Sequence, residues 1–147
     1  MTKPSASIPI SIKACTWQKD QAVIRPVREK VYIQEQQVPV ELEWDDKDAE
    51  CLHLLALDHD DHPVATARMT PDGHIGRMAV LADYRHQSIG SQMLRLLCEK
   101  ATEQGLKKVV LDAQTYAIPF YEKHGFSVTS DEFMDAGIPH KSMQKTL

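Results

Sequence analysis

The segment RHQSIGSQML, residues 85–94, places a basic residue and several small residues where a strand pattern gives way to a helix pattern. The first N–H groups of a helix have no partner within the helix, and the helix dipole adds positive charge there. Such a helix start binds an anion when small side chains allow close approach, and Ser88, Gly90 and Ser91 are small. The alternative is an ordinary helix start with Ser88 as its N-cap.

The elements that must position this segment alternate between strand and helix patterns. The sequence predicts strands near residues 8–14, 52–57, 64–69, 74–80, 107–114, 126–129 and 141–145, and helices near 20–34, 88–104 and 118–124. Asp20 is the predicted N-cap of the first helix, with Pro26 in its first turn or so. The three central strands read as a β-meander. We therefore expect an α/β (α+β) fold, in which helices flank a mixed central sheet of about six to seven strands.

Length, composition and charge limit the classes of function. The 147 residues predict one domain, 1–147. A net charge of −4 argues against a nucleic-acid partner, and no apolar run is long enough to span a bilayer. The N-terminus has no targeting pattern. Cys15, Cys51 and Cys98 are too far apart for a disulfide framework, so the expected location is the reducing cytoplasm.

Two polar stretches allow a functional and a structural interpretation. The acidic stretch EQQVPVELEWDDKDAE, residues 35–50, either attracts a cationic amine by its summed field or is a solvated connection. We favour the connection, with Trp44 as a packing anchor. DHDDH, residues 58–62, has metal-ligand residue types but reads as a tight turn, because five adjacent residues cannot all converge on one ion. No metal is expected.

Several blocks carry a family resemblance. RMAVLADYRHQSIGSQML at 77–94 and PFYEKHGF at 119–126 resemble the GCN5-related N-acetyltransferase (GNAT) family, and residues 35–50, LDAQTYAIPFY and DAGIPHKSM extend the likeness to its ElaA-like branch. In that family a strand leads into Arg/Gln-x-x-Gly-x-Gly/Ala and a helix. Arg85 and Gly90 match this motif, and Ser88 replaces its first glycine, which costs affinity if the position needs a positive φ.

The resemblance implies an acyl-coenzyme A site between splayed strands 4 and 5. Backbone groups of Met78, Ala79 and Val80 would pair with the pantetheine arm, helped by a bulge at Gly76. Gln114 would hydrogen-bond the arm, or is a turn residue. The predicted cofactor-binding set also includes the residues of the loop and two aromatic residues: Arg85, His86, Gln87, Ser88, Ile89, Gly90, Ser91, Phe120 and Tyr121.

The activity that the resemblance implies is transfer of an acetyl group from acetyl-CoA to a primary amine, by direct attack in a ternary complex. Tyr121, whose phenol is neutral at pH 7, would protonate the leaving thiolate, or is a core residue beside Phe120. Many members of the family have a glutamate that acts as the general base on the strand before the loop, but this chain has Gly76 there. Glu35 is therefore the first candidate for the base. His53, Asp112, His140 or a water chain are the alternatives.

Two rival functions and one assembly stay open. The same fold would serve a non-catalytic acyl-CoA sensor or interaction module. A binder of a nucleotide phosphate at the 85–94 segment is the other rival. The expected partners are acetyl-CoA and an amine, with neither nucleic acid nor membrane, and a homodimer through the C-terminal strands is a further expectation.

Overall fold

Eight strands form one sheet in the computed structural model, which describes residues 9–147. The strands are β1 (Ser11–Cys15), β2 (Leu52–Leu57), β3 (Pro63–Met69), β4 (His74–Val80), β5 (Lys108–Gln114), β6 (Ser127–Val128), β7 (Phe133–Asp135) and β8 (Ile138–Thr146). Their order is β1-β2-β3-β4-β5-β8-β6, and β7 pairs with β8. Only β4 and β5 pair in parallel among these strands. The predicted mixed α/β fold is confirmed, and β7 is the strand that the sequence did not indicate.

The helices connect and cover the strands. They are α1 (Trp17–Arg28), a π-helical turn (Glu29–Glu35), α2 (Val40–Glu43), α3 (Ile89–Glu103) and α4 (Ile118–Lys123), with short 3₁₀ turns at Asp48–Glu50, Ala82–Tyr84 and Thr115–Ala117. Ala79 packs with Val27 and Val31, whereas its neighbour Met78 packs with the cluster that contains α3. Because neighbouring strand residues point to opposite faces, α1 and α3 cover opposite faces of the sheet. Within residues 9–147, every helix is too short or too polar to cross a bilayer.

Two predictions about the ends of elements are wrong, and one extends past the described residues. Thr16, not Asp20, caps α1, since its hydroxyl accepts a hydrogen bond from the Lys19 N–H at 3.3 Å. Pro26 consequently lies in the last turn of α1 and not in the first, directly before the π-helical turn. A proline removes a helical hydrogen bond and crowds the preceding turn, which fits a change of helix type at this point. Ile8 of the first predicted strand lies outside the described residues.

β4 and β5 separate after a short contact, as predicted. Their paired residues are His74 with Val110 and Ile75 with Leu111. On its other edge β4 carries a bulge, because the register with β3 shifts where Arg77 and Met78 stand opposite a single residue. Arg77 has a φ of +48°, so the left-handed residue is not Gly76 itself but its neighbour. The bulge bends the strand away from β5 and leaves a free edge on β4.

Candidate functional site

The loop at residues 85–91 has the backbone of an anion-binding turn. His86 and Ser88 have φ values of +63° and +64°, with Gln87 in the ordinary region between them. When left-handed and right-handed backbone conformations alternate in this way, successive N–H groups point toward one position. Ser88 occupies the N-cap position of α3, but its hydroxyl makes no capping hydrogen bond. The N–H groups that open α3 are therefore free of a side-chain cap, in the place where helices bind anions.

Small residues keep the space beside this loop open. A Cβ atom on Gly90 would lie 3.6 Å from Phe120 Cζ and 4.0 Å from Met78 Sδ, so the glycine is at the junction of α3, α4 and β4. Gln87 Oε1 is buried and has no hydrogen-bond partner among the described residues. An unsatisfied polar atom in this position is typical of a site that a polar ligand completes. Ser91 is less available, since its hydroxyl lies 3.0 Å from His124 Nε2.

Ile89 differs from its neighbours in the loop. Its side chain is buried in the core that α3 shares with the sheet. Only its backbone N–H, at the first helical position, is in a place to meet a ligand.

Arg85 and Glu35, predicted for separate roles, form one ion pair. Arg85 Nη1 and Nη2 each lie 2.6 Å from a Glu35 carboxylate oxygen, and Arg85 Nε donates to the Val80 carbonyl at 2.9 Å. Hydrogen bonding from Arg85 lowers the pKa of Glu35, which makes the carboxylate a weaker base. Glu35 is also absent from the lining of the central cavity. Glu35 is therefore held in an ion pair with Arg85, outside the lining of the cavity.

The free edge of β4 offers backbone groups of Met78 and Val80. The Leu81 N–H donates to the Val64 carbonyl on the β3 side, and alternation along the strand turns the groups of Met78 and Val80 toward the gap. Tyr32 donates to the Met78 carbonyl at 2.8 Å. Ala79 lies between them, so the same alternation turns its backbone groups toward β3 and not toward the free edge.

A cavity of about 370 Å³ opens where β4 and β5 part. Its lining comes from the π-helical turn, α2, β3, β4, β5, the 3₁₀ turn before α4, α4 itself and the β7–β8 hairpin. The groups in it that could move a proton or bear charge include Tyr32, Glu43, Arg77, Asp112, Tyr121 and His140. The cavity is thus formed by segments far apart in sequence.

Tyr121 reaches this cavity from α4. Its ring packs edge-on against Phe120 at 5.0 Å and Phe126 at 5.9 Å between centroids. Burial raises the pKa of Tyr121 to about 12. The phenol is therefore protonated throughout the neutral range and is a proton donor, not a base.

His140 is the base candidate that the structure places in the cavity with a defined tautomer. Its Nδ1 lies 2.7 Å from the Ile138 carbonyl, and its ring stacks on Phe133 with centroids 5.9 Å apart. A carbonyl only accepts, so Nδ1 carries the hydrogen and Nε2 of the neutral ring is an acceptor. His53 has no such access: it is buried outside the cavity, with Nε2 2.8 Å from the Asp48 carbonyl.

Asp112 and Gln114 hold neighbouring parts of the cavity wall. Asp112 accepts a hydrogen bond from the Ser142 hydroxyl at 2.8 Å. Gln114 donates to Gln36 Oε1 at 2.8 Å and so joins β5 to the segment after the π-helical turn. The Gln114 side chain makes no capping hydrogen bond to the 3₁₀ turn that follows it, so the alternative role as a turn-capping residue has no support.

The acidic stretch is in large part a buried ion network, so its interpretation as a solvated connection is wrong for Glu43 and Asp48. These two carboxylates are only 2% and 4% exposed. Arg28 lies 2.6 Å from Glu43 and 2.7 Å from Asp48, and Arg68 lies 2.9 Å from Asp48. Burial raises the pKa of Glu43 despite these cations. Trp44 does pack as an anchor, over Arg28 at 4.9 Å and beside Trp17.

Several polar residues of the cavity were not singled out by the sequence, among them Tyr32, Gln36, Arg68 and Arg77. No local pattern marks them, since each acts through a partner that is distant along the chain. The one available signal was Gly76 in β4, which correctly indicated an irregular strand beside Arg77.

The turn at residues 58–62 brings Asp58, Asp60 and His62 together, with ligand atoms within 4.8 Å of one another. Asp58 Oδ1 accepts the backbone N–H groups of Asp60 and His62, each at 2.9 Å, and Tyr84 donates to its other oxygen. An aspartate that accepts hydrogen bonds from backbone N–H groups shortly after it in the chain stabilises a tight turn, as predicted for this segment.

Comparisons with known proteins agree with this geometry. Residues 20–147 match the family model described as an acetyltransferase (GNAT) domain. The chain is 41% identical over 123 residues to YjcF of Bacillus subtilis, an uncharacterized N-acetyltransferase, covering 81% of this chain and 87% of the relative. The crystal structure of Escherichia coli ElaA aligns with a TM-score of 0.83 at 25% identity, over 93% of this chain and 99% of that one.

A GNAT acetyltransferase from Elizabethkingia anophelis, solved with acetyl-CoA bound, has the same fold, with a TM-score of 0.71 at 19% identity over 94% of this chain and 98% of that one. The family model and the relative from Bacillus each cover most of the chain. This chain therefore belongs to the GCN5-related N-acetyltransferase (GNAT) family and is an acetyltransferase.

Proposed function

We propose that the protein transfers an acetyl group from acetyl-CoA to a primary amine, by direct attack of the amine in a ternary complex. The observation that carries the proposal is the gap between β4 and β5. A free strand edge and an uncapped helix N-terminus lie at this gap, and the cavity that opens there is lined by Tyr121 and His140.

The residues around the gap fit an acyl-coenzyme A. The 85–91 loop offers unpaired N–H groups and the small residue Gly90 to a pyrophosphate. The free edge of β4 offers Met78 and Val80 N–H groups to an amide-containing arm, as an edge strand accepts an added strand. When bound, acetyl-CoA supplies the acetyl group as a thioester. The relative solved with acetyl-CoA bound supports the choice of this co-substrate.

Two side chains move protons in this scheme. His140 Nε2 accepts the proton that the ammonium of the acceptor must lose before attack. Tyr121, with its pKa raised to about 12 by burial, gives a proton to the departing sulfur. Glu35 has no part in this scheme, because it is paired with Arg85 and does not line the cavity.

A covalent route through a cysteine has less support. None of Cys15, Cys51 and Cys98 lines the cavity. Burial also raises the pKa of the Cys15 thiol to about 11 and raises that of the other two, so little thiolate is present at neutral pH. Direct attack by the amine agrees with this.

The first experiment compares thermal unfolding with acetyl-CoA, free coenzyme A and ATP, alongside an assay of thiol release with a panel of primary amines. A ligand at a hundred times its Kd stabilises the folded state by about 2.7 kcal/mol. We expect a shift with both coenzyme A forms and none with ATP. A shift without turnover of any amine would favour the non-catalytic sensor, and a preference for ATP would favour the nucleotide binder.

The Tyr121→Phe variant tests the acid. General acid catalysis contributes about 10²-fold or more, so kcat should fall by about 10²-fold while the acetyl-CoA shift stays. Tyr84→Phe removes the same atom from a tyrosine outside the cavity, whose partner is Asp58, and should keep the wild-type kcat. Undiminished turnover in Tyr121→Phe would remove the acid role.

A further inference from the structure

Three arginines and three carboxylates balance one another at one side of the cavity. Each of these side chains has an ion-pair partner of opposite charge within the group, which consists of Arg28, Arg68, Arg77, Glu43, Asp45 and Asp48. The formal charge of this network is therefore zero. A charged group on the substrate consequently responds to charges outside the network and to any donor that the network leaves unused.

Arg77 has donors that the network leaves unused. Its Nη2 donates to the carbonyls of Leu42 and Glu43 at 3.1 Å and to Asp45 at 3.3 Å. Its Nε is buried without a hydrogen bond, although a Glu43 oxygen lies 3.3 Å away, and Nη1 has no partner among the described residues. Unsatisfied N–H groups of a guanidinium in a cavity lining are typical of a site that a ligand completes.

The backbone at Arg77 places this guanidinium beside the reacting groups. Arg77 is in the bulge of β4 with a φ of +48°, a conformation that costs free energy for a residue with a side chain. A bulge of this kind redirects a side chain. The next residue, Met78, has its backbone on the free edge that would hold the coenzyme A arm. A substrate group bound by Arg77 is therefore close to the thioester.

Lys47 adds a second cation to the same side of the cavity. It lines the cavity, is exposed, and forms no ion pair with any described residue. Its charge contributes to the lowered pKa of Asp72, but the hydrogen-bond partner of that carboxylate is the Thr70 hydroxyl. Asp45 connects the two cations, because it accepts the Lys47 backbone N–H at 3.1 Å and lies 3.3 Å from Arg77. Arg77 and Lys47 together form a cationic side.

Two carboxylates from other strands form an acidic side. Asp112 on β5 and Asp135 on β7 line the cavity and are exposed. Neither is paired with an arginine or lysine among the described residues, and His74 is 3.8 Å from Asp112. His140 lies on β8, which pairs with both β5 and β7. An ammonium at the acidic side is thus held near the group that would accept its proton.

From these observations we propose that the acceptor is a free amino acid, with its ammonium at the acidic side and its carboxylate at Arg77 and Lys47. The proposal rests on the proposed function, because it names the acceptor of the same site. Arginine binds a carboxylate by charge-assisted hydrogen bonds, and Lys47 adds a point charge. An amine without a carboxylate, such as a lysine side chain within a protein, leaves both cations unused.

The reaction yields an N-acetyl amino acid and coenzyme A. The ammonium first gives one proton to His140, and the free amine then forms a bond to the acetyl carbon. The carbon–sulfur bond breaks with its electron pair on sulfur, which takes a proton from Tyr121. The second amine proton is released to water, and the Tyr121 phenolate takes up the proton held by His140 through solvent. The carboxylate of the acceptor is unchanged and serves only to bind.

The test compares acceptors that differ only in this carboxylate, at saturating acetyl-CoA. Amino acids with acidic, basic, apolar and aromatic side chains are each assayed against the corresponding amino acid amide, which has the same size but no negative charge. For the best amino acid we expect kcat/KM to be at least about tenfold higher than for its amide. Equal or higher values for the amides would overturn the proposal and leave the acetyltransferase function standing.

A protein that turns over neither series would also overturn the proposal. Turnover of simple amines such as 2-phenylethylamine would then show that the acetyltransferase function survives. If these amines also fail, the proposed function fails with it, and the acetyl-CoA thermal shift shows whether coenzyme A still binds.

The Lys47→Gln variant tests the exposed cation. A partly exposed ion pair contributes little, so the preference for the best amino acid over its amide should shrink by about threefold. Lys107→Gln removes the same charge from an exposed residue outside the cavity and should keep the wild-type preference. The variants should fold alike, because both lysines are exposed.

The Arg77→Gln variant tests the unused guanidinium donors. The preference for the amino acid should shrink by at least about tenfold, because a charge-assisted hydrogen bond is lost. A partial loss of folded protein lowers kcat/KM for both acceptors equally and leaves their ratio unchanged. Arg95→Gln, on the exposed face of α3, is the matched control. An unchanged ratio in either Lys47→Gln or Arg77→Gln would overturn the assignment of the carboxylate to this side of the cavity.

Discussion

A single backbone oxygen decides which nitrogen of His140 is available. The Ile138 carbonyl fixes the hydrogen on Nδ1, and stacking on Phe133 fixes the ring plane. Nε2 of the neutral ring is therefore the nitrogen that can accept a proton, and His140 lines the cavity. Glu35, in contrast, is not available as a base. Both of its carboxylate oxygens accept hydrogen bonds from Arg85.

The variant His140→Gln tests this role. Loss of a general base should lower kcat/KM by about 10²-fold near neutral pH, with the acetyl-CoA thermal shift unchanged. The deficit should shrink as the pH approaches about 10, because an alkylamine then supplies its own free base. A structural role for His140 predicts no such recovery. His59→Gln, in an exposed turn, is the matched control and should follow the wild-type pH profile.

Ion pairs connect α1 with the segment after it. Arg28 in the last turn of α1 bonds Glu43 of α2 and Asp48 of the following 3₁₀ turn. Arg77 on the β4 bulge reaches the same carboxylate, Glu43. One face of the cavity thus depends on a network in which each buried charge has a partner.

Removal of Arg28 should therefore be costly. Arg28→Met leaves Glu43 and Asp48 buried with one cation fewer, so the free energy of unfolding in urea should fall by about 3 kcal/mol. The double variant Arg28→Met with Glu43→Leu should recover part of that loss, because it no longer buries an unpaired charge. Arg95→Met, on the exposed face of α3, should stay within about 0.5 kcal/mol of the wild type. Equal stabilities for Arg28→Met and Arg95→Met would show that the network contributes nothing.

Two tyrosines from distant parts of the chain, Tyr32 and Tyr121, line the cavity where the sheet opens. Their ionisation should make the stability of the fold depend on pH in the alkaline range. Burial raises the pKa of Tyr32 and raises that of Tyr121 to about 12, whereas both have a pKa near 10 when unfolded. A raised folded-state pKa means that the stabilisation is complete below about pH 10. It is lost as the pH rises toward the folded-state values. Stability should fall by up to about 1.4 kcal/mol per pH unit for each phenol in that window.

The Tyr32→Phe variant isolates one of these phenols. At neutral pH it loses the hydrogen bond to the Met78 carbonyl, which costs about 1 kcal/mol. Above about pH 10 its unfolding curve should fall less steeply than that of the wild type, so the two curves converge. Tyr116→Phe, at an exposed tyrosine, should keep the wild-type slope. Parallel curves for Tyr32→Phe and the wild type would show that Tyr32 titrates alike in both states.

The amino-acid sequence determined the features of this protein that depend on neighbouring residues. Apolar periodicity identified β2, β3, β4 and α3, and the residue types around Gly90 predicted where α3 begins. Gly76 marked the bulge that lets β4 leave β5. These are local properties, because backbone preference and side-chain spacing act within a few residues. The order of such blocks was enough to indicate the GNAT family.

Only the tertiary structure decided which polar side chains share the cavity. Glu43 and Asp48 belong to a stretch whose sequence predicts a solvated connection. In the fold both are buried, where they form ion pairs with Arg28 and Arg68. Glu35 loses the predicted base role to an arginine 50 residues away, whereas the Ile138 carbonyl orients His140. The charge and hydrogen-bond state of a group depend on partners that the fold brings from elsewhere in the chain. No pattern in the sequence around the group encodes those partners.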